Sequence, residues 1–349
     1  MRMFQLCVCG EPLRCNEQPT PEPKGSEVLL KVLAAGVCHS DLHLADGYFD
    51  LGSGKRLSLA ERGMKLPLTL GHENVGEVVA FGVEAKGVRI GARMLAHPWI
   101  GCGTCGPCRR GDENLCRAMK NLGVFTNGGY ADYMMVPHPR YLFEIGDLSP
   151  ERAAPLACSG VTTFGALKKV PTLATEPTVI VGAGGLGLMC LALHRKMSGH
   201  SAIVVEIDPA KREAAKQAGA AHVVDARAAD AAQQIIDLTQ GGAWAVIDFV
   251  GSTQSARIAY DSLSKGGKYI VVGLFGGDFT LSLPLIPMRA LTIQGSYVGT
   301  VREMTELMEL VRRTGLPPVP VATRPLGEVN AVMEQLRAGR VTGRVVLTP

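Results

Sequence analysis

Four of this chain's ten cysteines fall within the stretch Gly101 to Cys116, GCGTCGPCRRGDENLC. Two, two and seven residues separate Cys102, Cys105, Cys108 and Cys116. Gly103, Gly106, Pro107 and Gly111 argue against any helix or strand here, so these thiols are not scattered core side chains. Four converging thiolates suit tetrahedral zinc at about 2.3 Å, and an all-cysteine set leaves no open position. That chemistry is structural. Two disulfides are the alternative. Reactive groups must then lie elsewhere.

A second constellation is Gly182, Gly184 and Gly187, with Gly185 and Leu186 between the last two. They form G-x-G-x-x-G directly after the run TVIV and at the mouth of an expected helix. Glycines in this place let the backbone approach a pyrophosphate, which then rests on the positive end of the helix. Glu206 closes the next apolar run, SAIVVE, 24 residues beyond Gly182. A carboxylate there accepts from the adenosine ribose hydroxyls and repels a 2′-phosphate, which favours NAD over NADP. Asp208 competes for that role, but Glu206 comes first after the apolar run. Three further stretches hold groups that could react: CHSDLH at 38–43, GHE at 71–73 and LACSGVTT at 156–163.

The elements that must carry these groups fall into two textures. The chain has 349 residues, long for a single hydrophobic core, so two domains are expected. Its first 155 residues alternate short β-branched runs (VLLKVLAAGV, GEVVAFGV, GYADYMMV) with glycine and proline, which reads as an antiparallel, barrel-like domain. From about Cys158, strands alternate with helices: TVIVGAGGLGLMCLALHRKM, SAIVVEID with PAKREAAKQAGA, then AWAVIDFVG and GKYIVVGLFG. That alternation implies a doubly wound parallel sheet. A helix pair and the strand RVVLTP follow, and this strand should return to the first domain. The hydrophobic share of 46% is that of a globular protein, and the net charge of +4 is too weak to imply nucleic acid or an anionic membrane. No apolar run is long enough for a membrane span or a signal peptide. With ten cysteines, this points to the reducing cytoplasm, where clustered thiols mean metal. Cys7, Cys9, Cys15 and Cys190 read as small buried residues; His97, His138, His194, His200 and His222 read as surface or capping residues.

Taken together, the glycine fingerprint, the cysteine loop and the three reactive stretches resemble the zinc-dependent alcohol dehydrogenases of the medium-chain dehydrogenase/reductase superfamily. The resemblance spans essentially the whole chain. It implies a Rossmann sheet at 156–297, and a mostly β, GroES-like barrel built from 1–155 and 298–349. By this resemblance Cys38, His72 and Cys158 match the ligands of a catalytic zinc, whose fourth position is open to water or alcohol. Asp41 matches the carboxylate that takes the other ring N–H of His72. Glu73 matches the acid behind the metal, with partnership to an arginine as the alternative. Ser40 and His43 match a proton relay to solvent. His39 matches a basic residue near the pyrophosphate, Thr162 a residue beside the nicotinamide, Lys211 one near the adenosine ribose and Arg344 one near the phosphates.

The activity implied is reversible hydride transfer between a primary or secondary alcohol and NAD. Two zinc ions per chain and a homo-oligomer, a tetramer before a dimer, go with it. A polyol or formaldehyde dehydrogenase of the same superfamily is the alternative; polyol enzymes commonly carry an acid in place of Cys158. Two features depart from the shorter relatives. Residues 48–65, YFDLGSGKRLSLAERGMK, form an insert whose large apolar groups should line the substrate channel or a neighbouring subunit. Trp99 lies three residues before Cys102 and is expected to wall the pocket. Both bear on the substrate, which would be of medium size and apolar or aromatic.

Overall fold

The computed structural model describes residues 1–170 and 177–349. The ten-residue strand Val28–Val37 is the spine of the first unit, buried at eight of its positions. It pairs antiparallel with Glu73–Phe81, with Tyr133–Val136 and with the late strand Arg344–Thr348. Arg93–Ala96 and Leu142–Glu144 extend the sheet on one side, and Val321–Pro325 runs parallel to Arg344–Thr348 on the other. A smaller antiparallel sheet joins Arg14–Glu17, Arg2–Leu6 and Leu68–Thr69. The last strand, RVVLT, therefore lies between Val321–Pro325 and the early strand Val28–Val37, which closes the first unit with the end of the chain.

The second unit is a six-stranded parallel sheet. Its order is His222–Asp225, Ile203–Glu206, Thr178–Val181, Ala243–Asp248, Leu263–Val271, Thr292–Gly295. In chain order that is 3-2-1-4-5-6, the doubly wound arrangement whose crevice opens at the carboxyl ends of its first and fourth strands. TVIV and IVVE are buried at every position, because helices cover both faces and leave no side for polar alternation. Thr292–Gly295, at the edge, is mostly exposed instead.

One apolar core joins the two units. It runs from Ala34, Val75 and Leu95 of the antiparallel sheet, through Leu156 and Val161, to Ile180 and Ile247 of the parallel sheet. The helix Ser159–Lys168 carries much of this contact and is buried along almost its whole length, on all sides. Its polar side chains are mostly small hydroxyls, two of which bond back to the Pro155 and Ser159 carbonyl oxygens, so the helix can lie inside the protein and bring Cys158, at its N-cap, up to the other unit. The helix Val301–Thr314 is closed by reciprocal capping between Thr300 and Glu303, and buries Met304, Leu307, Met308 and Val311. No helix among the described residues is long and apolar enough to cross a membrane.

The cysteine loop corrects the expectation of no regular structure. Gly106–Arg110 makes one short helix, with Pro107 in its first turn, where a missing N–H costs nothing, and Gly111 in the left-handed conformation as its stop. Proline and glycine here delimit a helix turn rather than prevent one.

Candidate active site

Three chain segments meet where the two sheets face each other. Cys38 ends the strand Val28–Val37 and caps the helix His39–Asp46; His72 stands one residue before the strand Glu73–Phe81; Cys158 caps Ser159–Lys168. All three are buried, and their ligand atoms lie within 4.8 Å of one another. The turn before His72 requires glycine. Gly71 has φ +90°, and a Cβ there would lie 2.5 Å from the Tyr130 ring. Asp41, fully buried in the first turn of its helix, accepts from the Cys38 N–H at 2.8 Å and faces His72 Nδ1 at 3.1 Å. That contact leaves His72 Nε2, a buried nitrogen with no protein partner. Two sulfurs and an orphaned imidazole nitrogen are the donor set of a three-ligand zinc site, so these residues fit the metal. A hydrogen bond between the Cys158 and Cys38 sulfurs draws the Cys38 thiol well below its ordinary value and pushes Cys158 well above.

Behind the cluster, Glu73 accepts from the Ser159 N–H at 3.2 Å and pairs with the Arg344 guanidinium. Burial pushes its carboxyl up to about 7, although Arg344 opposes this. Both roles weighed for Glu73 are thus compatible: it stands beside the cluster and has its arginine. Arg344 also reaches the glycine turn, since a Cβ on Gly185 would meet its Cδ at 2.5 Å. One cavity is lined by His39, Gly184, Gly185, Leu186, Lys211 and Arg344, among others. Gly182 has φ +94°, and a Cβ on Gly187 would lie 1.8 Å from the Gly182 carbonyl oxygen. The tight turn needs the first glycine, and the close approach of helix to strand needs the last.

The two acids after IVVE are separated by their partners. Asp208 caps the helix Pro209–Gln217, accepting from Ala210 N at 2.8 Å and Lys211 N at 3.0 Å. Glu206 instead folds back on the turn, accepting from Ala183 N at 2.7 Å, Ile207 N at 2.8 Å and Asp208 N at 3.0 Å. Thr162 is buried with an unpartnered hydroxyl on the helix that Cys158 caps, and it is not among the residues lining the cavity. Ser40 and His43 stand one turn apart on His39–Asp46. His43 is half-buried; burial, then the neighbouring His39, lowers its imidazole below the ordinary value. Its ring lies 4.9 Å from that of Phe49.

Phe49 belongs to the insert, a hairpin of Tyr48–Asp50 against Arg56–Ser58. Leu59 and Met64 enter the core of the first unit, while Leu51 is 51% exposed. The tip turns at Gly52, φ +80°, and crosses to the parallel-sheet unit. A Cβ on Gly52 would lie 2.5 Å from the Gly277 carbonyl carbon, and the Ser53 hydroxyl bonds Asp278. The insert thus does a third thing beyond the two expected of it: it links the two units of one chain. Trp99 is buried with its ring 5.5 Å from His72, beside the cluster.

The cysteine loop is compact. Cys105 Sγ lies 3.4 Å from Cys108 and 3.8 Å from Cys116, and Cys102 lies 4.0 Å from Cys108. These separations match the roughly 3.8 Å edge of a tetrahedron of 2.3 Å bonds, and far exceed an S–S bond. Backbone N–H groups of Cys105, Cys102 and Ala118 point at the sulfurs of Cys102, Cys116 and Cys116, as suits thiolates.

Several residues differ from the sequence reading. Cys190 is buried as expected, but Cys9 and Cys15 are exposed and Cys7 is partly so. His138 caps a turn, accepting from Arg140 N at 3.0 Å. His97 and His194, expected as surface or capping residues, are buried. Sequence reasoning also missed two groups with no local signal. Tyr130 donates to Asp41 at 2.8 Å. Asp248, fully buried at the end of its strand, accepts from Val250 N, Gly251 N, Ser255 Oγ and Tyr269 Oη at 2.8–3.0 Å. It holds the loop that carries Val250 against Gly182.

Comparison with known proteins agrees with this geometry. Residues 24–147 match the alcohol dehydrogenase GroES-like domain, and residues 185–313 match the zinc-binding dehydrogenase domain. The chain is 40% identical over 351 residues to an NAD-dependent alcohol dehydrogenase of Sulfurisphaera tokodaii, covering 100% of both. A D-arabinose 1-dehydrogenase (NADP(+)) of Saccharolobus solfataricus is 34% identical, over 97% of this chain and 95% of the relative. Among solved structures, the alcohol dehydrogenase of Aeropyrum pernix superposes with a TM-score of 0.90 at 33% identity, covering 100% of both chains.

Proposed function

The chain belongs to the zinc-binding alcohol dehydrogenase family, and on that premise we propose that it moves hydride reversibly between a primary or secondary alcohol and NAD, giving an aldehyde or ketone. The observation that carries this reading is the buried convergence of Cys38, His72 and Cys158 around an unpartnered imidazole nitrogen. Glu73 and Arg344 connect that cluster to the glycine-turn cavity. Zinc held by the three side chains supplies a Lewis acid that lowers the pKa of an alcohol, and NAD supplies the hydride acceptor. Asp41 keeps the proton of His72 on Nδ1, so that Nε2 is free to bind. Ser40 takes the alcohol proton as its own hydroxyl proton passes on through the cofactor ribose, and His43, whose imidazole burial lowers below its ordinary value, carries it outward. Lys211 and Arg344 bring positive charge to the cavity where the glycines cradle the pyrophosphate, and His39, its imidazole also lowered below the ordinary value by burial, offers that cavity a ring N–H. Thr162 packs by the nicotinamide, and Glu206 stands where the adenosine ribose binds.

Cys102, Cys105, Cys108 and Cys116 hold a second, structural zinc in this reading. The catalytic unit comprises 1–155 and 298–349 around a cofactor unit at 156–297; every strand from Thr178 to Gly295 lies in the parallel sheet. We place the chain in the cytoplasm, in keeping with ten unpaired cysteines. A homotetramer, or failing that a dimer, suits the exposed apolar side chains of the stretch that precedes the edge strand Thr292–Gly295: Phe275 at 70%, Leu283 at 78% and Met288 at 68%. Trp99 beside the cluster and Phe49 beside His43 favour a medium-sized apolar or aromatic alcohol. A sugar or polyol is the second reading, suggested by the pentose dehydrogenase among the relatives; Cys158, not an acid, as third ligand weighs against it.

The test is a panel of aliphatic, allylic, aromatic and polyhydroxy alcohols, each assayed with NAD and NADP, alongside metal analysis. Two zinc ions per chain and a preference for NAD are expected. Equal or better turnover with NADP would overturn the assignment of Glu206. A fully active sample with one zinc or none would overturn the metal assignment.

A further inference from the structure

Tyr130 is fully buried, and its environment is more specific than packing alone demands. Its backbone N–H donates to Leu70 O at 3.0 Å in the segment leading into His72, and its carbonyl accepts from Phe4 N of the strand Arg2–Leu6 at 2.8 Å. The ring fills the space beside Gly71, which any larger residue there would occupy. These contacts fix the hydroxyl, which meets Asp41 Oδ2 at 2.8 Å and the Gly36 carbonyl oxygen at 3.4 Å. A phenol has one proton, and the nearer, charged acceptor takes it. Asp41 Oδ2 also accepts from Cys38 N at 2.8 Å, while Oδ1 faces His72 Nδ1 at 3.1 Å. One carboxylate oxygen is thus held by two donors, and the other is turned to the imidazole.

We propose that Tyr130 is a positioning residue for the zinc ligand His72, acting through Asp41. The hydroxyl fixes the plane of the Asp41 carboxylate, and that plane sets the ring orientation which aims Nε2 at the two sulfurs. A carboxylate held by the Cys38 N–H alone at Oδ2 can swing about that bond, and the imidazole swings with it. This inference rests on the reading of Cys38, His72 and Cys158 as a zinc site. Partners one step behind a metal ligand typically change metal affinity about 10–100-fold when removed.

The experiment is Tyr130→Phe in the full chain, which deletes the hydroxyl and keeps the ring. Zinc release to a chromophoric chelator is followed over time, with the four-cysteine loop as internal reference. The expected result is release from the three-ligand site accelerated about tenfold, with the slower phase unchanged. In an Asp41→Asn background the same substitution should add less than about twofold, because the intermediary is already lost. Unchanged release from a wild-type-like fold sinks the proposal and leaves the zinc site standing. Equal acceleration of both phases, or a variant that does not fold, assigns the hydroxyl to the fold and likewise overturns it. A wild-type chain that releases no zinc from this site would instead bring down the proposed function, and this inference with it.

Discussion

The two sulfur clusters are built in opposite ways. Cys102, Cys105, Cys108 and Cys116 come from one short segment, two of them only partly buried, and neighbouring N–H groups serve their sulfurs. Cys38, His72 and Cys158 come from segments 34 and 86 residues apart, all buried, and are aligned by Asp41 and Tyr130. The first can organise itself locally; the second exists only once both sheets have met. A closed set of four donors holds its metal for shape. A set of three, spread through the core, leaves room for chemistry but depends on every element around it. The segment His97–Gly101 joins them, with Trp99 against His72 at one end and Gly101 against the Cys108 sulfur at the other.

Substitution should separate the two clusters most sharply. Cys38→Ser is expected to reduce turnover about a thousandfold or more while the chain stays folded, since metal charge stabilisation is worth several kcal/mol. Cys105→Ser should do the reverse, lowering stability by about 2–4 kcal/mol in thermal unfolding with activity per folded molecule largely kept. If the two variants exchanged phenotypes, the division between reactive and structural clusters would be wrong.

The joining segment should respond to acid. His97 is fully buried with neither ring nitrogen partnered, and burial, aided by Arg140, pushes its imidazole down to about 3. The unfolded chain binds this proton below about pH 6.5 and the folded chain does not, so the contribution is intact above 6.5 and lost as pH falls toward 3. The slope is about 1.4 kcal/mol per pH unit, or about 2 kcal/mol between neutrality and pH 5. His97→Leu should flatten the acid side of the stability curve by that amount in denaturant titrations at pH 7 and 5. An unchanged difference would show that His97 is not the sensor.

The smallest effect concerns the relay. Phe49→Ala should expose His43, return its imidazole toward the ordinary value and move the acid limb of kcat/KM to higher pH. Cys102–Cys116 metal content should not change. A pH profile identical to wild type would remove Phe49 from the reactive side of the comparison.

Legibility in the sequence followed the same division. The four-cysteine loop and the glycine turn could be read directly, because each is a local device whose spacing or backbone geometry only a few residues permit. The parallel sheet was legible from alternating strands and helices. Cys38, His72 and Cys158 could be grouped only through family resemblance, since nothing local in CHSDLH or LACSGVTT says that the two stretches touch. Tyr130 was hidden inside GYADYMMV, which reads as an ordinary strand; its meaning depends on Asp41, 89 residues away. The insert looked apolar enough to cover something, but its partner, the Gly277–Asp278 backbone, lies more than two hundred residues on.

That hairpin contact separates two properties usually discussed as one. In the proposed reading, cofactor affinity is set by groups inside the cleft, such as Arg344 and the glycine turn. At the tip Gly52 is buried against the loop that the Phe275 N–H and the Thr253 hydroxyl tie to the Asp248 segment, while Ser53 beside it is exposed to water. A rotation of one sheet against the other that widened the cleft would part this contact. A solvent-exposed hydrogen bond is worth little at equilibrium, because water replaces it, yet it stands on the path of opening. On the proposed cofactor reading, the time a cofactor stays and the strength with which it binds would depend on different residues, so weakening the Ser53–Asp278 contact should speed exchange without changing affinity.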